Sequence, residues 1–281
     1  MAHDLRPAMI HTGMYPRLKM TASLLIERSG ATLTLILNRP DLHNAFDAGL
    51  IAALTAALHQ AGNDPDVRVV VLTGAGRSFS AGADLHWMRG MAAASEADNR
   101  VDALALAALM RTLDELPKPT IARVQGAAFG GGVGLVACCD IAIGVDTARF
   151  GLTESRLGLL PAVISPYVVA AIGPRQSRRW FATAEQFDAA AALQMGLLHS
   201  VVAAEQLDAA VAEQVSLLQK AGPIAAASAK GLVRHVMASH DRNALDAANA
   251  DLIARLRVSA EGQEGLGAFL EKRSPGWAAG A

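Results

Sequence analysis

The stretch Gln125-Gly126-Ala127-Ala128-Phe129-Gly130-Gly131-Gly132-Val133-Gly134-Leu135-Val136-Ala137-Cys138-Cys139-Asp140 carries five glycines within nine residues, followed by an apolar run. Glycine is used where the backbone must bend unusually or where another group must approach it. The run after it reads as a helix over residues 131–137, whose first N–H groups have no intrahelical partner and can face a ligand. Residues 120–124 before it read as a strand, and residues 141–145 after it as a second, buried one. The stretch is therefore the loop of a strand–loop–helix–strand unit, which is the grammar of an α/β fold.

The same grammar extends upstream. Residues 24–27 and 32–37 read as two strands around the turn Arg28-Ser29-Gly30-Ala31. Residues 47–60 place Leu50, Ile51, Leu54, Ala57 and Leu58 on one helical face. The β-branched run 67–72 reads as a buried parallel strand. A second small-residue loop follows, Ser80-Ala81-Gly82-Ala83-Asp84-Leu85. A helix is expected over residues 95–116 with Ser95 as its N-cap, stopped by Pro117-Lys118-Pro119. Downstream of Gly173 the pattern becomes helical: 175–183, 189–195, 204–221, 224–239, 242–258 and 263–273. The reading is a flexible leader over 1–20, a core of stacked strand–helix units over 21–205, and a helical region over 206–281.

Composition narrows the function classes. The chain has 281 residues, of which 52% are hydrophobic, so a large core is available. A formal net charge of -1 favours neither nucleic acid nor an anionic membrane surface as partner. No apolar stretch is long enough for a membrane span. The start of the chain lacks the apolar h-region of a secretory signal. The two cysteines, Cys138 and Cys139, are adjacent. That spacing matches neither a disulfide pair nor a zinc site, so core thiols in a reduced, cytoplasmic compartment are expected.

Several readings compete for the glycine stretch. A Walker loop would end in Gly-Lys-Ser/Thr, which is absent. Gly132-Val133-Gly134-Leu135-Val136-Ala137 does fit a dinucleotide fingerprint, with Glu154 about 20 residues on. Against it, residues 149–153 do not form a clear second strand before Glu154, and the unit sits mid-chain behind two others. A plain packing helix is a further reading. The remaining one is an oxyanion site, in which free N–H groups at a helix start stabilise negative charge on a carbonyl oxygen. A second N–H donor would come from the 80–84 loop.

The combination Asn38-Arg39-Pro40, Asn44-Ala45, Ser80-Ala81-Gly82-Ala83-Asp84-Leu85, Gly130-Gly131-Gly132, Cys139-Asp140 and Phe150-Gly151-Leu152-Thr153-Glu154 resembles the crotonase (enoyl-CoA hydratase/isomerase) superfamily over residues 23–273. The resemblance implies a ββα-spiral core with a helical C-terminal region that covers CoA and builds homotrimers or homohexamers. It also implies an acyl-CoA thioester substrate and no separate cofactor or metal. By motif position, the amides of Ala83 and Gly131 polarise the thioester carbonyl and Glu154 carries protons. Ala81, Asp84, Leu85, His86, Trp87 and Gly130 then fall among the substrate-binding residues.

A second glutamate of such hydratases falls at Gly134, where this chain has no side chain. The stretches 83–88 and 157–167 are similar to bacterial 3-methylglutaconyl-CoA hydratases and their terpenoid-degrading relatives. Hydration of such a substrate is thus expected. A Δ3,Δ2-enoyl-CoA isomerase using the single glutamate, or an acyl-CoA binding protein without turnover, stays open. A glutaconyl substrate adds a distal carboxylate, for which His86, Arg89 and Arg156 are candidates, each also readable as a surface residue. Trp87 reads as an acyl-pocket wall or as packing, and Glu154 taken alone as a solvent-facing carboxylate at a helix start. Lys230, Arg234, Lys272 and Arg273 read as contacts to CoA phosphates or as a solvated face.

Overall fold

The computed structural model describes residues 23–278; the leader over 1–20 lies outside them. Strands β1 (Leu24–Ser29) and β2 (Thr32–Leu37) form an antiparallel hairpin. Helix α1 (Ala48–Asn63) follows, its N-cap Asp47 accepting from the Leu50 N–H. It buries Leu50, Ile51, Leu54, Ala57, Leu58 and Ala61, the face its 3.6-residue period predicts. Three strand pairs then follow in turn: β3 (Val69–Gly74) and β4 (Ser78–Ser80), β5 (Thr120–Val124) and β6 (Ala127–Phe129), β7 (Ile141–Val145) and β8 (Arg149–Gly151). Between the first two pairs lie α2 (Leu85–Ala93) and α3 (Glu96–Asp114). Helix α4 (Gly131–Cys138) separates the second pair from the third.

Each pair gives its first strand to one sheet and its second to another. The large sheet runs β1-β2-β3-β5-β7-β10, parallel from β2 onward, with β10 (Ser200–Val202) at its edge. The small sheet runs β4-β6-β8-β9, with β9 (Gln186–Asp188) antiparallel at its edge. Two sheets stacked turn by turn are the spiral expected from the motifs. All six residues of β3 are buried, as expected of a parallel strand covered on both faces.

Helix α5 (Ser165–Thr183) kinks at Gly173-Pro174 and leads to β9 and α6 (Ala189–Met195). The C-terminal helices are α7 (Leu207–Lys220), α8 (Pro223–Ala238), α9 (Arg242–Val258) and α10 (Ala260–Leu270).

Several boundaries differ from expectation. Helix α2 starts at Leu85, the last residue of the expected loop, and runs through residues for which no element was expected, because Asp84 caps it directly behind the small residues. Helix α5 starts at Ser165, ten residues before the expected 175, since Gly173 only kinks it. Residues 149–151 do form a strand, but one of only three residues in the small sheet. Strand β3 is shifted two residues from the expected 67–72, α7 begins after a 3-10 turn at Ala204–Gln206, and α10 spans 260–270 rather than 263–273.

Candidate active site

The small sheet brings the two glycine-containing loops together. Strands β4 and β6 are parallel neighbours, with Ser80 opposite Ala128, so the loops at their ends leave side by side. Gly82 has φ +82, a region only glycine enters without strain. A methyl group there would lie 2.8 Å from the Phe129 carbonyl oxygen and 3.4 Å from the Gly131 nitrogen. The two loops are thus in van der Waals contact at the residues adjoining Ala83 and Gly131.

Phe46 joins the two amides. Its N–H donates to the Gly82 carbonyl at 2.6 Å and its carbonyl accepts from the Asp84 N–H at 2.9 Å, forming a parallel bridge opposite Ala83. In that register the N–H of Ala83 points away from Phe46, toward the exposed side. Under the neighbouring loop, the Phe46 ring would meet a methyl group on Gly131 at 2.6 Å. Gly131 is the first residue of α4, so its N–H has no helical acceptor. The amides before them are engaged: Gly130 donates to the Gly151 carbonyl at 2.9 Å, Ala81 to the His43 carbonyl at 2.9 Å and Gly82 to the Ser80 hydroxyl at 3.3 Å.

Glu154 lies beside the Gly130–Gly131 end of these loops. It opens a 3-10 turn, Glu154–Leu157, directly after β8. A methyl group on Gly130 would lie 3.2 Å from its Oε1. Its Oε2 is buried and has no hydrogen-bond partner among the described residues. A buried polar atom without a partner is costly and calls for an explanation. Burial pushes the Glu154 carboxyl above the usual carboxylate range, its own backbone N–H offsetting only part of the effect. This is not a carboxylate facing solvent. Two small-residue loops in contact, with a buried carboxyl beside one of them, suit reactions that create and discharge an enolate.

The profile of the family described as enoyl-CoA hydratase/isomerase matches residues 27–280. The chain belongs to that family. An enoyl-CoA hydratase from Shewanella pealeana superposes with a TM-score of 0.87 at 45% identity, over 91% of this chain and 96% of that one. Pseudomonas aeruginosa AtuE superposes with a TM-score of 0.88 at 38% identity, over 91% and 99%. The 2,3-dehydroadipyl-CoA hydratase of Escherichia coli is 32% identical over 256 residues, spanning 90% of this chain and 98% of that one. The fold is therefore the crotonase fold. Enoyl-CoA hydratase activity, a carbon–oxygen lyase reaction, is what this membership supports.

Other predicted residues take varied places. Both Asp84 oxygens are occupied: Oδ1 accepts from the N–H groups of His86 (2.7 Å) and Trp87 (3.2 Å), and Oδ2 pairs with Arg39 at 2.9 Å. Although burial alone would raise its pKa, these partners hold it below the usual range. Asp84 therefore caps α2 and ties it to Arg39. Trp87 is half-buried and packs against the core. Leu85 and His86 are exposed beside Ala83, as is Arg89 further along α2. Arg156 is exposed on the Glu154 turn. Lys230 is neither a solvated charge nor open to phosphate: it pairs with Asp140 at 2.9 Å and donates to the Leu113 carbonyl. Arg234 and Arg273 pair with Asp114 and Glu264, and Lys272 is exposed. Cys138 and Cys139 are free, buried thiols, the latter pushed up to about 12 by burial.

Sequence reasoning missed the braces. Arg39 also pairs with Asp47 at 3.1 Å and donates to the Ala45 carbonyl at 2.6 Å. Asn44, at φ +56, ties the 75–78 turn through the Ala75 and Ser78 carbonyls. Ser80 donates to the Asn44 carbonyl at 2.9 Å. The motif residues Arg39 and Asn44 thus act by holding the Ala83 loop. Phe46 was legible only as a rare aromatic beside Asn44-Ala45.

Proposed function

We propose that the chain hydrates the double bond of an α,β-unsaturated acyl-CoA thioester. The single observation that carries the reading is the buried Glu154 oxygen, unpartnered among the described residues, on a carboxyl that lies against Gly130, next to the Gly131 amide. The two N–H groups stabilise negative charge on the thioester oxygen as oxygen adds to C3. Glu154, ionised, takes the proton from the attacking water. It then returns a proton to C2 as the enolate collapses, so the carboxylate is regenerated. A pKa raised toward neutrality suits both directions of transfer. The resemblance at 83–88 and 157–167 supports a branched, 3-methylglutaconyl-type acyl group, and the apolar Leu85, Leu157, Leu159 and Leu160 stand exposed on these segments.

One observation favours Δ3,Δ2-isomerisation instead: residue 134 offers no second acid, and one carboxylate suffices to move a proton from C2 to C4. Incubation with 3-methylglutaconyl-CoA and with a 3-enoyl-CoA separates the readings. Hydration adds 18 mass units to the first; isomerisation leaves the second's mass unchanged and moves its double bond. No change in either ester rejects both. The helical region 206–281 is assigned to CoA covering and to assembly as a homotrimer or homohexamer. Exposed Val258, Phe269 and Leu270 on its last helices support that assignment.

A further inference from the structure

We propose that Ile164 is a positioning residue, seating the first turn of α4, and with it the Gly131 amide, against the segment that bears Glu154. The inference rests on the hydratase reading above. Gly134 is the fourth residue of α4, and its N–H closes the first turn onto the Gly130 carbonyl at 3.2 Å. A methyl group added at Gly134 would overlap Cγ2 of Ile164, lie 2.9 Å from its Cβ, and lie 3.3 Å from Cε of Met110. The β-branch of Ile164 therefore fills the space where a side chain of residue 134 would begin.

Ile164 is 3% exposed and caps α5, its carbonyl accepting from the N–H groups of Tyr167 (3.2 Å) and Val168 (3.1 Å). It ends the connection that Glu154 begins, whose turn is closed by the Leu159 N–H on the Glu154 carbonyl at 3.1 Å. The same first turn of α4 rests on Phe46 under Gly131 and on the Ser80 carbonyl oxygen, 2.5 Å from a methyl group built on Gly132. Those two supports come from the Ala83 loop and from the segment bridged to it. Of these three, Ile164 is the contact that comes from the carboxylate's own segment. Together with the Gly130 N–H on the Gly151 carbonyl (2.9 Å), it fixes the donor that holds the oxyanion relative to the segment that carries the proton. Positioning of this kind governs kcat steeply, a shift of about 1 Å costing up to about a hundredfold.

The decisive atom is Cγ2, which valine retains and leucine lacks. With crotonyl-CoA as probe, Ile164→Val is expected to keep kcat within about threefold of the unaltered enzyme. Ile164→Leu, of equal volume, is expected to lower kcat about tenfold or more with KM changed less than about threefold. Equal kcat for the leucine and unaltered forms at 25 °C, whatever the melting temperature, overturns the proposal. As a second measurement, Gly134→Ala should lower kcat, and adding Ile164→Ala should recover part of the loss. Losses that simply add also overturn it. Glu154→Gln is run alongside. If that variant turns over normally, the hydratase reading fails; if it is inactive while Ile164→Leu is normal, only this inference fails.

Discussion

The raised pKa of Glu154 has a sign for stability as well as for activity. Below the unfolded value of about 4.3 the carboxyl is protonated in both states and burial costs little. As pH rises past that value the unfolded chain releases its proton first, and stability falls until the folded group has also ionised. Glu154→Gln removes that penalty. Its melting temperature is expected to exceed that of the unaltered protein at about pH 8, the gap closing near pH 4. A gap of the same size at both pH values contradicts a buried, perturbed carboxyl. Catalysis runs the opposite way: kcat/KM should rise through an acidic limb lying above the ordinary glutamate value. At residue 134 the packing makes its own prediction. Gly134→Glu does not supply a second acid, because Ile164 occupies its path. It should lower stability by about 1–3 kcal/mol, the usual range for overpacking, without raising kcat.

Among the elements, α2 shows most clearly how the site is held. Asp84 caps it and joins Arg39, whose side chain is largely buried at 17% exposure. Asp84→Ala should cost about 1 kcal/mol for the cap alone and more for stranding Arg39. The Ala83 amide precedes this cap directly, so kcat should fall with stability. Asp84→Asn keeps an acceptor for the helix and should fall between. Equal effects of the two would show that the cap is not what holds the loop, with thermal melts and steady-state kinetics as the readouts. The sequence signal for α2 was present in Asp84, an N-cap residue, but Asp84 reads as part of the small-residue loop 80–85, and the short run after it shows no clear period. Residues 95–116 were easier, because Ser95 caps a periodic run; its side chain does accept from the Asp98 N–H. Strands β4, β6, β8 and β9 were invisible because three residues carry no readable period. Long buried strands such as β5 and β7 were read to the residue. The glycine-rich loop was legible because glycines crowd where backbones touch. Phe46 and Ile164 were not, because contacts across distant segments leave no local mark.

For the molecule as a whole, the core and the C-terminal helices differ in how they are covered. The core cluster runs from Leu24 to Val211. Helices α8 to α10 contribute few buried residues and expose Val233, Met237, Ile253, Val258, Phe269 and Leu270. A link between the two is Lys230 on α8, which meets Asp140 beside the Thr120 N–H and hydroxyl. Exposed apolar surface of this extent asks for cover. Sedimentation at micromolar concentration should give three or six copies, and Phe269→Asp should shift the distribution toward monomer. A monomeric unaltered protein would remove the assembly assignment and leave the site argument intact. Among the described residues no helix is long and apolar enough to cross a membrane.

The account turns on two backbone amides holding a thioester oxygen while a single carboxyl group moves the proton. Turnover of an enoyl-CoA by Glu154→Gln, measured beside its affinity for a saturated acyl-CoA, tests this directly. The expected result is a kcat at least about a hundredfold lower with the dissociation constant unchanged within a few-fold. Turnover near that of the unaltered protein, with binding intact, would contradict it.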